Sequence, residues 1–203
     1  MTDRAQIYLA TPPDPEGAGF SDTLARVMDA APVAALRLDF ATRDEGRLIH
    51  LIDAAREVAH ARDVPAILAD HLGLVTRLGL DGVHLSDGSR GVRKAREALG
   101  KDAVVGAFCG ASRHDGMTAG EIGADYVAFG PAGETTLGSG ERAGPDLFAW
   151  WSEMIELPVV AEGALTPETV RALAPAADFF AFGPEIWDTD DPAGALRALA
   201  NAI

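Results

Sequence analysis

The 203 residues include 48% hydrophobic side chains, enough for one globular domain spanning 1–203 with a sizeable core, and 31 acidic against 17 basic residues, a formal net charge of −14 at pH 7. That charge argues against a general nucleic-acid or membrane surface, either of which would need a basic face to neutralise phosphates. No apolar run approaches the roughly 18 residues of a membrane span and no basic-then-apolar leader opens the chain, so a cytoplasmic protein is expected; the single Cys109 excludes an internal disulfide and a cysteine-rich metal site.

Residues 6–9 form a short apolar run followed by the proline-rich segment 11–16. Ser21 is placed to cap a helix through Ala30, with Leu24, Val27 and Met28 on one face. Pro32 opens the run 33–38, and Pro65 and Pro158 open those at 66–68 and 159–161, a strand position that tolerates a missing N–H. Leu48, Leu51, Ile52, Ala55 and Val58 recur at helical spacing, so 45–61 reads as an amphipathic helix. A short helix over 71–78 leads to a strand at 82–85, after which Ser89 is placed to cap a helix through Leu99. A strand at 104–107, a helix at 117–122 and a strand at 126–129 follow. Pro145 opens a helix through Glu156, and the pairs Thr166-Pro167 and Asp191-Pro192 open two more on either side of a strand at 179–182.

Strand and helix therefore alternate eight times. The pattern predicts an α/β fold, a closed single-domain (β/α)8 TIM barrel with its site on the C-terminal rim, with an open doubly wound sheet as the alternative. No GxGxxG follows a strand, which removes the main support for a dinucleotide fold. Two strands carry nearly one sequence, DYVAFGP at 125–131 and DFFAFGP at 178–184, and are expected to end in the same turn.

On this placement the rim gathers many polar groups. Asp70 and Asp87, from adjacent strands, are oxygen donors suited to Mg²⁺; read blandly, Asp70 caps a helix at His71 and Asp87 sits in a turn. The glycines of 133–140 allow a backbone nest for an anion, or simply a loop. Gly163 lies near strands seven and eight, where such barrels hold phosphate. His84 alternates with Val83 and Leu85, so it faces either the barrel interior, as a buried hydrogen-bonded group, or the helix layer. His114, on a loop, is either an acid or base or a solvated side chain, and Cys109 reads as a small buried hydrophobe.

These pieces resemble the thiamine phosphate synthase family, including its thiazole tautomerase branch. The similarity rests on DGVHL at 81–85, GADYVAFGP at 123–131, the pair Thr135 and Thr136, PVVAEGAL at 158–165 and the ending AADFFAFGPEI. The resemblance implies a (β/α)8 barrel that joins a hydroxymethylpyrimidine pyrophosphate to a thiazole phosphate with Mg²⁺, releasing pyrophosphate. It places Arg37 on the pyrophosphate and Asp70 on the metal, with Asp87 as a shifted second ligand because the family's second aspartate falls at Ser89. Thr135, Thr136, Gly163 and Gly183 would surround the thiazole phosphate, His84 completes the candidate substrate-binding set, and His114 joins Arg37 as a catalytic candidate.

The chain departs from the family pattern in one direction. The family's glutamine is Ala35, a lysine is Asp39, the lysine of the threonine-rich loop is replaced by Leu137 and Gly138, and Pro184 has no N–H to offer a phosphate. With Asp39, Glu162 and Glu185 gained, the hold on two phosphorylated substrates is expected to weaken. Two alternatives follow: a tautomerase-like isomerase with His114 or His84 as base, and a non-catalytic barrel that binds a phosphorylated metabolite. Surplus apolar residues on the outer helices suit a small homo-oligomer.

Overall fold

The computed structural model describes residues 4–15, 19–134 and 141–203. Eight parallel strands close into a barrel in sequence order: β1 (Gln6–Ala10), β2 (Val33–Leu38), β3 (Ala66–Ala69), β4 (Gly82–Leu85), β5 (Val104–Phe108), β6 (Tyr126–Phe129), β7 (Val159–Glu162) and β8 (Phe179–Phe182), with β8 pairing back onto β1. The crossovers are α1 (Phe20–Met28), α2 (Glu45–His60), α3 (Leu72–Val75), α4 (Val92–Leu99), α5 (Arg113–Glu121), α6 (Pro145–Met154) and α7 (Pro167–Leu173), while α8 (Pro184–Trp187) and α9 (Pro192–Ala200) follow β8. The doubly wound alternative is thereby excluded. Among the described residues, no helix is long and apolar enough to cross a membrane.

Strand alternation divides the apolar residues between two cores. Leu9, Leu36, Leu38, Leu68, Val83, Val105, Val127, Phe129, Phe180 and Phe182 face outward and are buried under the helices. Tyr8, Ile67, Tyr126, Ala128, Val160 and Ala181 face inward and fill the barrel, with Ala35, Val104, Phe108 and Phe179 packed against them. Each large apolar side chain so buried contributes about 1.5–3 kcal/mol, which is why strands of four to six residues suffice.

An aspartate precedes each of β4, β6 and β8, and each acts on the neighbouring strand. Asp81, Asp125 and Asp178 accept hydrogen bonds from the backbone N–H groups of Ala66, Val105 and Val159 at 2.8, 2.7 and 2.8 Å. The repeated motif read in the sequence thus begins with a strand-start clamp. Its two copies end differently, however. After Gly130 the chain runs on beside β7, with Ala132 and Gly133 donating to Glu162 and Gly163, and a Cβ on Gly133 would lie only 1.6 Å from the Ala164 carbonyl oxygen. After Gly183 it turns at once into α8.

Several helix starts also differ from the sequence reading. The helix expected to begin at Ser21 is capped at Gly19, without a side-chain bond. Ser89 caps nothing, because it lies in a single 3-10 turn (Gly88–Gly91) and its hydroxyl donates to Asp115. The helix expected over 71–78 is only the four residues of α3. In the opposite sense, α5 starts four residues before the expected 117, capped by Ser112, so His114 lies in a helical first turn and not on a loop.

Candidate active site

A cavity of about 710 Å³ opens at the C-terminal rim, between the exits of β1, β2 and β5 to β8. Its walls include Ala10, Thr11, Phe108, Gly130, Pro131 and Gly163, with the ionisable groups Arg37, Asp39, Glu162, Glu185 and Asp188. One guanidinium therefore faces four carboxylates among the described residues.

Arg37 points inward because Leu36 and Leu38 on either side of it point out. Its Nε donates to both oxygens of Asp39 at 2.9 Å, and Nη2 lies 2.9 Å from Asp39 Oδ2. Nη1 donates to Glu162 Oε2 at 2.5 Å. Asp39 is fixed in turn by its own N–H, which donates to the hydroxyl of buried Thr11 at 2.9 Å. Burial opposes the charge on Arg37, but Glu162 and Asp39 outweigh it and hold the guanidinium protonated, its pKa well above the ordinary value.

A hydrogen-bonded line runs from this pair of carboxylates into the barrel. Arg37 Nη1 is 3.2 Å from His84 Nε2, and a guanidinium can only donate. Nε2 must therefore accept, so the proton sits on Nδ1 and is donated to the Tyr126 hydroxyl at 2.8 Å; that hydroxyl meets the hydroxyl of Tyr8 at 2.7 Å. His84 thus faces the interior, as one of the two orientations read from sequence required. Burial and then the Arg37 charge push its pKa well below 6.5, and burial raises those of Tyr8 and Tyr126, so the line is neutral apart from Arg37. Gly106 makes it possible: a Cβ there would lie 2.0 Å from the Tyr126 ring.

The remaining sequence candidates fall in three groups. Gly163 and Gly183 line the cavity with Arg37. Asp70 and Asp87 do not; they are exposed at the exits of β3 and β4 and absent from its wall. Asp70, with a left-handed φ of +57°, caps no helix: its oxygens accept from the Ser86 N–H at 2.8 Å and the Ser86 hydroxyl at 2.7 Å. His114 is exposed and absent from the cavity wall. Thr135 and Thr136 lie outside the described residues. Cys109 is buried, and burial followed by the Asp115 charge pushes its pKa up to about 12, which leaves a neutral thiol. Tyr8, Tyr126 and Thr11 escaped the sequence reading, and the only signal for Tyr8 and Tyr126 was their alternation with outward-facing neighbours.

No three His, Cys, Asp or Glu side chains among the described residues group as a cage for a metal ion. The donor chemistry of Asp70 and Asp87 still fits Mg²⁺, which is usually held by one or two carboxylates plus substrate phosphates and waters.

The sequence profile described as thiamine monophosphate synthase matches residues 7–186. The chain belongs to that family. The thiamine-phosphate synthase of Rhodospirillum centenum is 42% identical over 205 residues, covering 99% of this chain and 97% of the relative. That of Erythrobacter litoralis is 37% identical over 204 residues, covering 98% and 95%. Among solved structures, the thiamine phosphate pyrophosphorylase from Pyrococcus furiosus superposes with a TM-score of 0.84, covering 97% of this chain and 94% of that one; at 18% identity this likeness speaks for the fold alone. Asp39, Glu162 and Pro184, expected from the sequence to depart from the family pattern, all line the cavity.

Proposed function

We propose that this chain is a thiamine-phosphate synthase, joining a hydroxymethylpyrimidine pyrophosphate to a thiazole phosphate in the C-terminal cavity. The observation that carries the reading is near full-length similarity to synthases of that name, in a chain whose described cavity wall holds the part-buried Arg37 as its cation. The bond to the departing pyrophosphate breaks as positive charge develops on the pyrimidine's methylene carbon, and the thiazole nitrogen then supplies the electron pair for the new bond. Arg37 faces the pyrophosphate. Its Nη2, which among the described residues pairs with Asp39, has a second N–H to direct at an entering oxygen. Asp39 and Glu162 outnumber Arg37 at the inner end of the cavity, which favours the positive charge that develops on the pyrimidine's methylene carbon. Asp70 and Asp87 would hold Mg²⁺, whose contribution when bound is to neutralise charge on the leaving group.

The histidines favour this reading over a tautomerase. His84 has both nitrogens engaged and its pKa depressed, and His114 lies off the cavity, so neither is placed as a general base. The test is to mix the protein with both substrates and Mg²⁺ and follow pyrophosphate. Release coupled to thiamine phosphate formation, abolished by a chelator, is expected; no release at any Mg²⁺ concentration would refute the proposal.

A further inference from the structure

Glu185 bridges the exits of the last two strands. Its Oε1 accepts from the Leu165 N–H at 3.0 Å and its Oε2 from the Gly183 N–H at 3.0 Å, and the residue lines the cavity. Backbone donors at the exits of strands seven and eight are where parallel barrels hold a phosphate. Here a carboxylate of the chain itself has taken them, one oxygen on each. Pro184, between Gly183 and Glu185, has no N–H to add, and Asp188 brings a further negative charge to the same wall. A phosphate entering this end meets an anion of like charge already seated on its donors, and Arg37 alone among the lining residues offers a counter-charge.

We propose that Glu185 is a resident anion that determines acceptor selectivity. A phosphorylated thiazole binds only by displacing it, whereas the same thiazole without its phosphate enters the cavity with Glu185 in place. The inference rests on the synthase reading for the identity of the acceptor. It concerns binding, however, and can be tested without turnover.

Isothermal titration of the wild type, Glu185→Ala and Glu185→Gln with inorganic phosphate, the thiazole phosphate and its dephosphorylated form decides the matter. In Glu185→Ala, both phosphates are expected to bind about tenfold tighter or more, the scale of one charge-assisted hydrogen bond, while the dephosphorylated thiazole changes by less than about twofold. Glu185→Gln keeps one acceptor oxygen and loses the charge, so it falls between. A gain for inorganic phosphate stands even if the wild type forms no product, which separates this inference from the synthase reading. Both variants binding phosphate no tighter than the wild type, with native circular dichroism, would overturn it, as would an equal gain for the dephosphorylated thiazole.

Discussion

His84 shows how one residue's setting turns into a measurable property of the whole chain. Its ring stacks on Tyr126 with centroids 5.7 Å apart, accepts from Arg37 and donates to Tyr126, so folding requires the neutral form. The folded pKa lies well below 6.5, so the unfolded chain binds the extra proton as pH falls through that value. The stability His84 contributes is therefore complete above pH 6.5 and declines below it, by up to about 1.4 kcal/mol per pH unit. Urea unfolding at pH 5 and pH 7.5 should show a steeper loss in the wild type than in His84→Gln; equal slopes would mean the ring is protonated in the fold. Alternation in the sequence limited His84 to two orientations. It could not name its partners, because Arg37 and Tyr126 come from strands 47 and 42 residues away.

At the level of the element, the most transferable device is the aspartate before an even-numbered strand. Asp125 accepts from the Val105 N–H and pairs with Arg96 at 2.6 Å, while Arg96 also donates to the carbonyls of Gly100, Ala103 and Gly123. Asp125→Ala leaves that N–H without its acceptor and should cost about 1–3 kcal/mol in denaturant unfolding. Exposed Asp102→Ala serves as the comparison and should stay within about 0.5 kcal/mol; similar losses in both would remove the clamp from the account. Helix starts were legible where the cap acts locally. Thr166 accepts from Thr169 and Asp191 from Gly194, each followed by the proline that marked it. They were illegible where a tertiary partner wins: Ser89 turns its hydroxyl to Asp115, 26 residues on. The FGP exits of β6 and β8 diverge for a similar reason, since one is drawn along β7 and the other into α8.

Over the whole molecule, eightfold alternation of short apolar strands with helices pointed to buried parallel strands, which a closed barrel and a doubly wound sheet both provide; the pairing of β8 with β1 is what closes the barrel. The site was legible in part. Arg37, Gly163 and Gly183 do meet in one cavity, whereas Asp70, Asp87 and His114 are exposed and absent from its wall. Loop direction after each strand decides such placements, and spacing along the chain does not encode it. The bottom of the barrel offers a contrasting cavity of about 560 Å³ that includes Arg4 and Arg197. The most direct measurement is therefore a crystal structure of the protein with the pyrimidine pyrophosphate and Mg²⁺. The account predicts the pyrophosphate against Arg37 Nη2 at the C-terminal rim, with the metal on the side of Asp70 and Asp87. A pyrophosphate seated between Arg4 and Arg197, with the upper cavity empty, would contradict it.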